Sequence, residues 1–144
     1  IHAMSLFEEN RWLQRFQNYQ RALTHLDQAL QSTEDKDIDE FSDLEIQGTI
    51  KCFEMAFDLA WKVLQDYFEE QGYEIGKGPK ANIQQAFKDN LIKDGDEWAK
   101  MLDSRNDSAH AYDGDMAIEI LEKIRSSYYF LFDDLDKVLT RIKN

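Results

Sequence analysis

Between Ser42 and Gly72 the apolar side chains return every three or four positions without a break: Ile46, Ile50, Phe53, Phe57, Ala60, Leu64 and Tyr67. Trp61 and Phe68 widen the same stripe. That period matches a helix of about 3.6 residues per turn and excludes a strand, whose side chains alternate. Ser42 and Glu45 stand three apart at its start, the spacing at which each side chain satisfies an unpaired amide of the first turn. Gly72 supplies the stop, because a glycine enters the left-handed conformation that ends a helix. The sequence therefore predicts one long helix over roughly 43–71.

The same reasoning extends along the chain. Trp12, Phe16, Tyr19, Leu23, Leu26 and Leu30 predict a first helix, and the polar run STEDKDIDE at 32–40 predicts a solvated connection. Ile83, Phe87 and Leu91 predict a short helix near 80–92, and Trp98 and Leu102 another near 95–107. Ile120, Ile124, Tyr128, Leu131, Leu135, Val138 and Ile142 predict a second long helix. No segment alternates with period two, and the chain is the size of one domain at 144 residues. The expectation is an all-α antiparallel bundle of about five helices, two of them long. Residues 1–3, ahead of Met4, are expected to be a cloning remnant, leaving 4–144 as a single domain.

Charge and residue inventory then narrow the chemistry. The formal net charge is −12, so any contact with a polyanion has to be local. Cys52 is the only cysteine, lies among Phe53, Met55 and Ala56, and reads as a small packed residue in a reducing compartment. No apolar run approaches the roughly 18 residues that span a bilayer, and a cytoplasmic location is expected. GYEIGKGPK at 72–80 lacks both the GxxxxGK[ST] spacing and a preceding strand, so it reads as a turn and not a phosphate loop. HExxH, paired ExxH and clustered Cys/His are all missing, as is GxSxG; neither a metal nor a cofactor is expected. His25, between Leu23 and Leu26, reads as a packing residue on the first helix.

What remains is RNDSAHAY at 105–112. Arginine is a permanent cation whose planar fork suits a phosphodiester, and histidine is the side chain that titrates near neutrality. Arg105 and His110 therefore suit metal-free RNA cleavage, with a base, an acid and a cation at the phosphate. One histidine cannot be both acid and base, whereas a symmetric dimer would offer two. Five residues turn about 140° around a helix, so the pair requires a helix break between them or a second chain. Spacing alone equally allows a helix end, where Arg complements the macrodipole and Asn, Asp, Ser and Gly are ordinary.

Three blocks, RWLQRFQNYQRALTHLDQAL, KCFEMAFDLAWKVLQDYFEEQG and DGDEWAKMLDSRNDSAHAYD, resemble the HEPN superfamily and its HepT-like branch of nucleotidyltransferase substrate-binding proteins. The resemblance runs from about Arg11 to the last helix, and R-x4-H-x-Y after a Trp-bearing helix is its specific motif. It implies a homodimeric helical bundle paired with a minimal nucleotidyltransferase antitoxin. It further implies a metal-independent endoribonuclease toxin with Arg105 and His110 as catalytic residues and Asn106 in support. Tyr112 would be the site at which the antitoxin transfers AMP from ATP, placing a bulky anion beside the catalytic groups. The alternative function is a non-catalytic accessory subunit that presents substrate to the nucleotidyltransferase.

Overall fold

A computed structural model describes residues 11–110 and 114–144. The order of elements is α1 (Arg11–Ser32), a 3-10 turn (Ile38–Glu40), α2 (Asp43–Glu70), α3 (Pro79–Lys88), α4 (Gly95–Ser108), α5 (Gly114–Lys123), a π-helical turn (Ile124–Tyr128) and α6 (Tyr129–Lys143). The last three run on with helical backbone, so the architecture is the expected helical bundle of five rods. Among the described residues there is no strand.

Local chemistry explains the boundaries. Ser42 Oγ accepts from the Glu45 amide at 3.1 Å while Glu45 Oε1 accepts from the Ser42 amide at 2.9 Å, the reciprocal cap expected at the start of α2. At its end Gly72 takes φ +85°, Tyr73 N donates to Phe68 O and Gly72 N donates to Glu69 O. Those two bonds satisfy carbonyls that the helix would otherwise leave open. The third helix stops earlier than the predicted residue 92. Asn90 adopts φ +62°, Leu91 N donates to Ala86 O and Asn90 N to Phe87 O, which is the same closing motif with Asn in place of Gly. Leu91 continues the apolar spacing, but as the residue that packs after the cap. The last rod starts at Gly114, ahead of the first stripe residue Ile120.

The π turn also has a sequence cause. Ile120, Ile124, Tyr128 and Phe132 are all buried and each stands four residues after the last. Four residues overshoot an α-helical turn by about 40°, so three such steps would carry Phe132 about 120° off the stripe. A wider turn absorbs the drift and keeps all four on the core side.

α1 runs antiparallel to α2, with Arg15 Nε on Asp66 Oδ2 at 2.9 Å and the Trp12 ring on Tyr67 at 5.3 Å. Phe132 of α6 is the meeting point of the core. Its ring lies 6.0 Å from Phe53 of α2, 5.9 Å from Trp98 of α4 and 6.4 Å from Tyr19 of α1. Tyr19 Oη donates to the Phe132 carbonyl at 2.6 Å, and burial, with Asp136 and Asp133 adding to it, pushes that phenol well above its ordinary pKa. A buried hydroxyl with a partner avoids the desolvation penalty of an unpaired one. No helix among the described residues is long and apolar enough to cross a membrane.

Candidate functional site

Asp94 starts α4 by accepting from the Glu97 amide at 3.1 Å. Trp98 and Met101 then anchor the helix, both essentially without exposure. With those two turned into the core, Arg105 at the last turn faces α2. There its Nε donates to Asp58 Oδ1 at 3.0 Å and its Nη2 to Asp58 Oδ2 at 3.0 Å, a parallel fork. Nη1 donates to Glu54 Oε2 at 3.2 Å. Buried Ser108 closes the cluster: its hydroxyl lies 2.6 Å from Glu54 Oε2 and 2.7 Å from the Arg105 carbonyl.

Hydrogen bonds to Asp58, and to a lesser degree the nearby negative charge of Asp58 and Glu54, raise the Arg105 pKa above its ordinary value against the opposing effect of burial. The guanidinium is a fixed cation whose plane is set by α2. Three of its five N–H groups are engaged in these bonds, which leaves two for a further acceptor. Two carboxylates against one cation leave the cluster one negative charge in excess.

α4 ends at Ser108, between Arg105 and His110, so the helix break is one of the two arrangements the spacing required. Ala109 caps it with helical backbone, and the His110 amide donates to Asp107 O at 2.9 Å. His110 and Asn106 are exposed, and among the described residues no hydrogen bond joins the His110 ring to Arg105. Tyr112 lies outside the described residues. His25 is exposed on α1. Cys52 is half-buried and burial pushes its thiol up, which disfavours a thiolate nucleophile.

Glu54, Asp58 and Ser108 were not singled out in the sequence. The available signal was small: two acids four residues apart inside the otherwise apolar KCFEMAFDLAW place two charges on one shoulder of a core helix. A second group of acids, Asp37, Asp39 and Glu40, brings one oxygen each within 4.8 Å of the others, but all three are exposed. Nothing else there points to an ion.

The family described as nucleotidyltransferase substrate binding protein like matches residues 14–141. Among solved structures, a Haemophilus influenzae protein described as showing the fold of a substrate-binding domain of a nucleotidyltransferase is 24% identical. It superposes with a TM-score of 0.76 over 87% of this chain and 98% of that one. A Thermus thermophilus protein is 26% identical, with a TM-score of 0.70 over 88% of this chain and 99% of that one. The tri-AMPylated HEPN toxin of Shewanella oneidensis, solved in complex with its MNT antitoxin, has a TM-score of 0.69 at 15% identity, covering 90% of this chain and 96% of that one. A search of curated proteins finds no match.

Proposed function

The chain belongs to the family of nucleotidyltransferase substrate-binding-like proteins and has the helical bundle of a HEPN toxin, and from that premise we propose that it is a metal-independent endoribonuclease toxin. The observation that carries this reading is Arg105, fixed in the last turn of α4 by Asp58 and Glu54 with two N–H groups left over, just before an exposed histidine past the helix end.

In the proposed reaction the RNA 2′-oxygen attacks the adjacent phosphorus and gives its proton to one His110. The bond from phosphorus to the 5′-oxygen breaks, and the leaving oxygen takes a proton from the other His110. A 2′,3′-cyclic phosphate and a 5′-hydroxyl result. The remaining N–H groups of Arg105 bind the non-bridging oxygens as charge builds on them, the kind of preorganised stabilisation that contributes most to such rates. Asn106, exposed beside Arg105, is assigned a supporting polar contact.

Two histidines require two chains, and α2 offers a face for the second copy. Leu44 is 83% exposed and Met55 46% exposed, with Gly48 between them at helical spacing. A Cβ added to Gly48 would meet nothing within 4 Å, so the fold of one chain gives no reason for a glycine that weakens the middle of a helix. Close approach of another helix supplies one. The same helix carries Glu54 and Asp58, which links this face to the Arg105 cluster.

Control is assigned to Tyr112. Its phenolic oxygen would attack the α-phosphorus of ATP on the partner nucleotidyltransferase, forming tyrosyl-AMP and releasing pyrophosphate. The added anion beside His110 would repel or block the RNA phosphate.

The deciding experiment is RNA cleavage by purified protein in chelator. Activity lost in Arg105→Ala and in His110→Ala supports the reading, and undiminished activity in both overturns it. The excess carboxylate at Arg105 favours a second reading, a non-catalytic subunit in which the Arg105 cluster is a structural brace. Expression without the nucleotidyltransferase separates the two: growth arrest with RNA cleavage belongs to the first, and neither effect to the second.

A further inference from the structure

On the far side of α4 from the core lies a cavity of about 530 Å³, closed on its other side by α3. That volume lies in the range of small-ligand sites. Its floor is Ile83 and Leu102, with Phe87 as one wall. Phe87 is 51% exposed, a large loss of burial for an aromatic side chain that the rest of the core could have taken in. The ring is not loose. A Cβ on Gly95 would come within 3.0 Å of Phe87 Cγ and Cδ1, so the ring lies against the first residue of α4 at a distance only glycine permits. A half-exposed aromatic braced on its hidden side is a preorganised stacking surface.

The charged groups around it constrain what could stack. Asp96 and Asp103 line the cavity, and Asp94, which also lines it, is engaged in capping α4. Those carboxylates reject a phosphate inside the cavity and accept hydrogen bonds from N–H groups. Lys80 and Lys93 line it as well and have no ion-pair partner among the described residues. The ligand that satisfies all of this is flat, apolar on its faces, rich in N–H donors at its edge, and joined to a phosphate that stays outside.

We propose that the cavity between α3 and α4 binds a nucleobase, stacked on Phe87 and read at its edge by Asp96 and Asp103, with the attached phosphate met by Lys80 and Lys93. Base–aromatic stacking beside cations is the common physical means of holding unpaired nucleotides. The base belongs either to a free nucleotide or to a strand of RNA. The strand form rests on the ribonuclease reading: Gly95 and Arg105 are ten residues apart on α4, about 15 Å, so one strand could reach both.

Titration calorimetry with the full-length protein tests this, using the four nucleoside 5′-monophosphates and 2′-O-methyl tetranucleotides that cannot be cleaved. Saturable binding of at least one base is expected. Phe87→Ala should weaken it by about 5- to 100-fold, the range of one lost base–aromatic stack, while Phe87→Trp preserves it. Ala99→Phe, which fills the cavity from an exposed position, should abolish binding with the melting temperature unchanged, and Asp103→Asn should change which base is preferred. Equal affinity for monophosphate and tetranucleotide identifies the free nucleotide as the source. Tighter tetranucleotide binding, reduced in Lys80→Ala and Lys93→Ala, identifies the strand. No saturable binding of any probe, or binding indifferent to both Phe87→Ala and Ala99→Phe, overturns the proposal. A protein that binds bases through Phe87 yet cuts no RNA sinks only the ribonuclease reading.

Discussion

Arg105 and Asp58, 47 residues apart, meet through two parallel hydrogen bonds of 3.0 Å that lock the last turn of α4 to the middle of α2. Both side chains keep partial access to solvent, so the pair is screened and its contribution is that of a well-aligned surface bridge. Asp58→Ala is expected to cost about 1 kcal/mol, lowering the thermal midpoint by roughly 2–4 °C. Circular dichroism melts of both single variants and the double variant would show the two costs to be less than additive. Strict additivity would mean that the fork contributes nothing.

Catalysis follows a different pattern. Arg105→Ala and His110→Ala are each expected to reduce metal-free RNA cleavage by about 100-fold or more, the usual contribution of an acid–base group or a charge-stabilising donor. Asp58→Asn should reduce it by less, because it loosens the aim of Arg105 and leaves the charge. Rates measured in chelator on one fixed RNA give the ordering.

Gly48 separates folding from assembly. Gly48→Gln adds a good helix former over open space, so each folded chain should gain about 0.5–1 kcal/mol. The same side chain would stand in the proposed seam between copies of α2. Sedimentation should therefore show weaker self-association together with a higher melting temperature of the dissociated chain. Unchanged association would move the dimer contact away from this face.

Tyr112 is tested by mass. Incubation with the partner nucleotidyltransferase and ATP should add AMP to the wild-type protein and not to Tyr112→Phe. Increments that persist in the variant would place the modification elsewhere.

The Ser42–Glu45 cap makes a pH prediction. Hydrogen bonds from the Ser42 backbone and from Lys36 lower the folded-state pKa of Glu45. A lowered folded pKa means that its contribution is fully present above the unfolded value and is lost as pH falls through the folded one. The stability advantage of wild type over Glu45→Gln should thus be constant near neutrality and shrink below the carboxylate range. Melting curves at pH 7 and pH 3 measure it.

The helices were legible because each buries one stripe, and a stripe is a local property of sequence. Ser42, Glu45 and Gly72 even marked the ends of α2 correctly. The early stop of α3 was less visible, since Asn90 rather than glycine takes the left-handed turn. The motif at 105–110 showed its residue types but not its neighbours. Arg105 reaches Glu54 and Asp58 only because Trp98 and Met101 fix the rotation of α4, and that rotation depends on the whole core. Phe87 looked like one more core position by spacing, and only its contact with Gly95 distinguishes it.

The π turn at Ile124–Tyr128 makes the final rod intolerant of changes in length. A surface helix usually accepts the loss of a residue near its end as a small shift. Here, deleting one residue from the turn would relax it into ordinary α-helix and swing everything beyond it by about 100°. Leu135 and Leu139 would leave the core, and Ser127 would no longer reach Glu97, which it now meets at 2.7 Å. Related chains should accordingly vary in composition across these positions far more readily than in residue count.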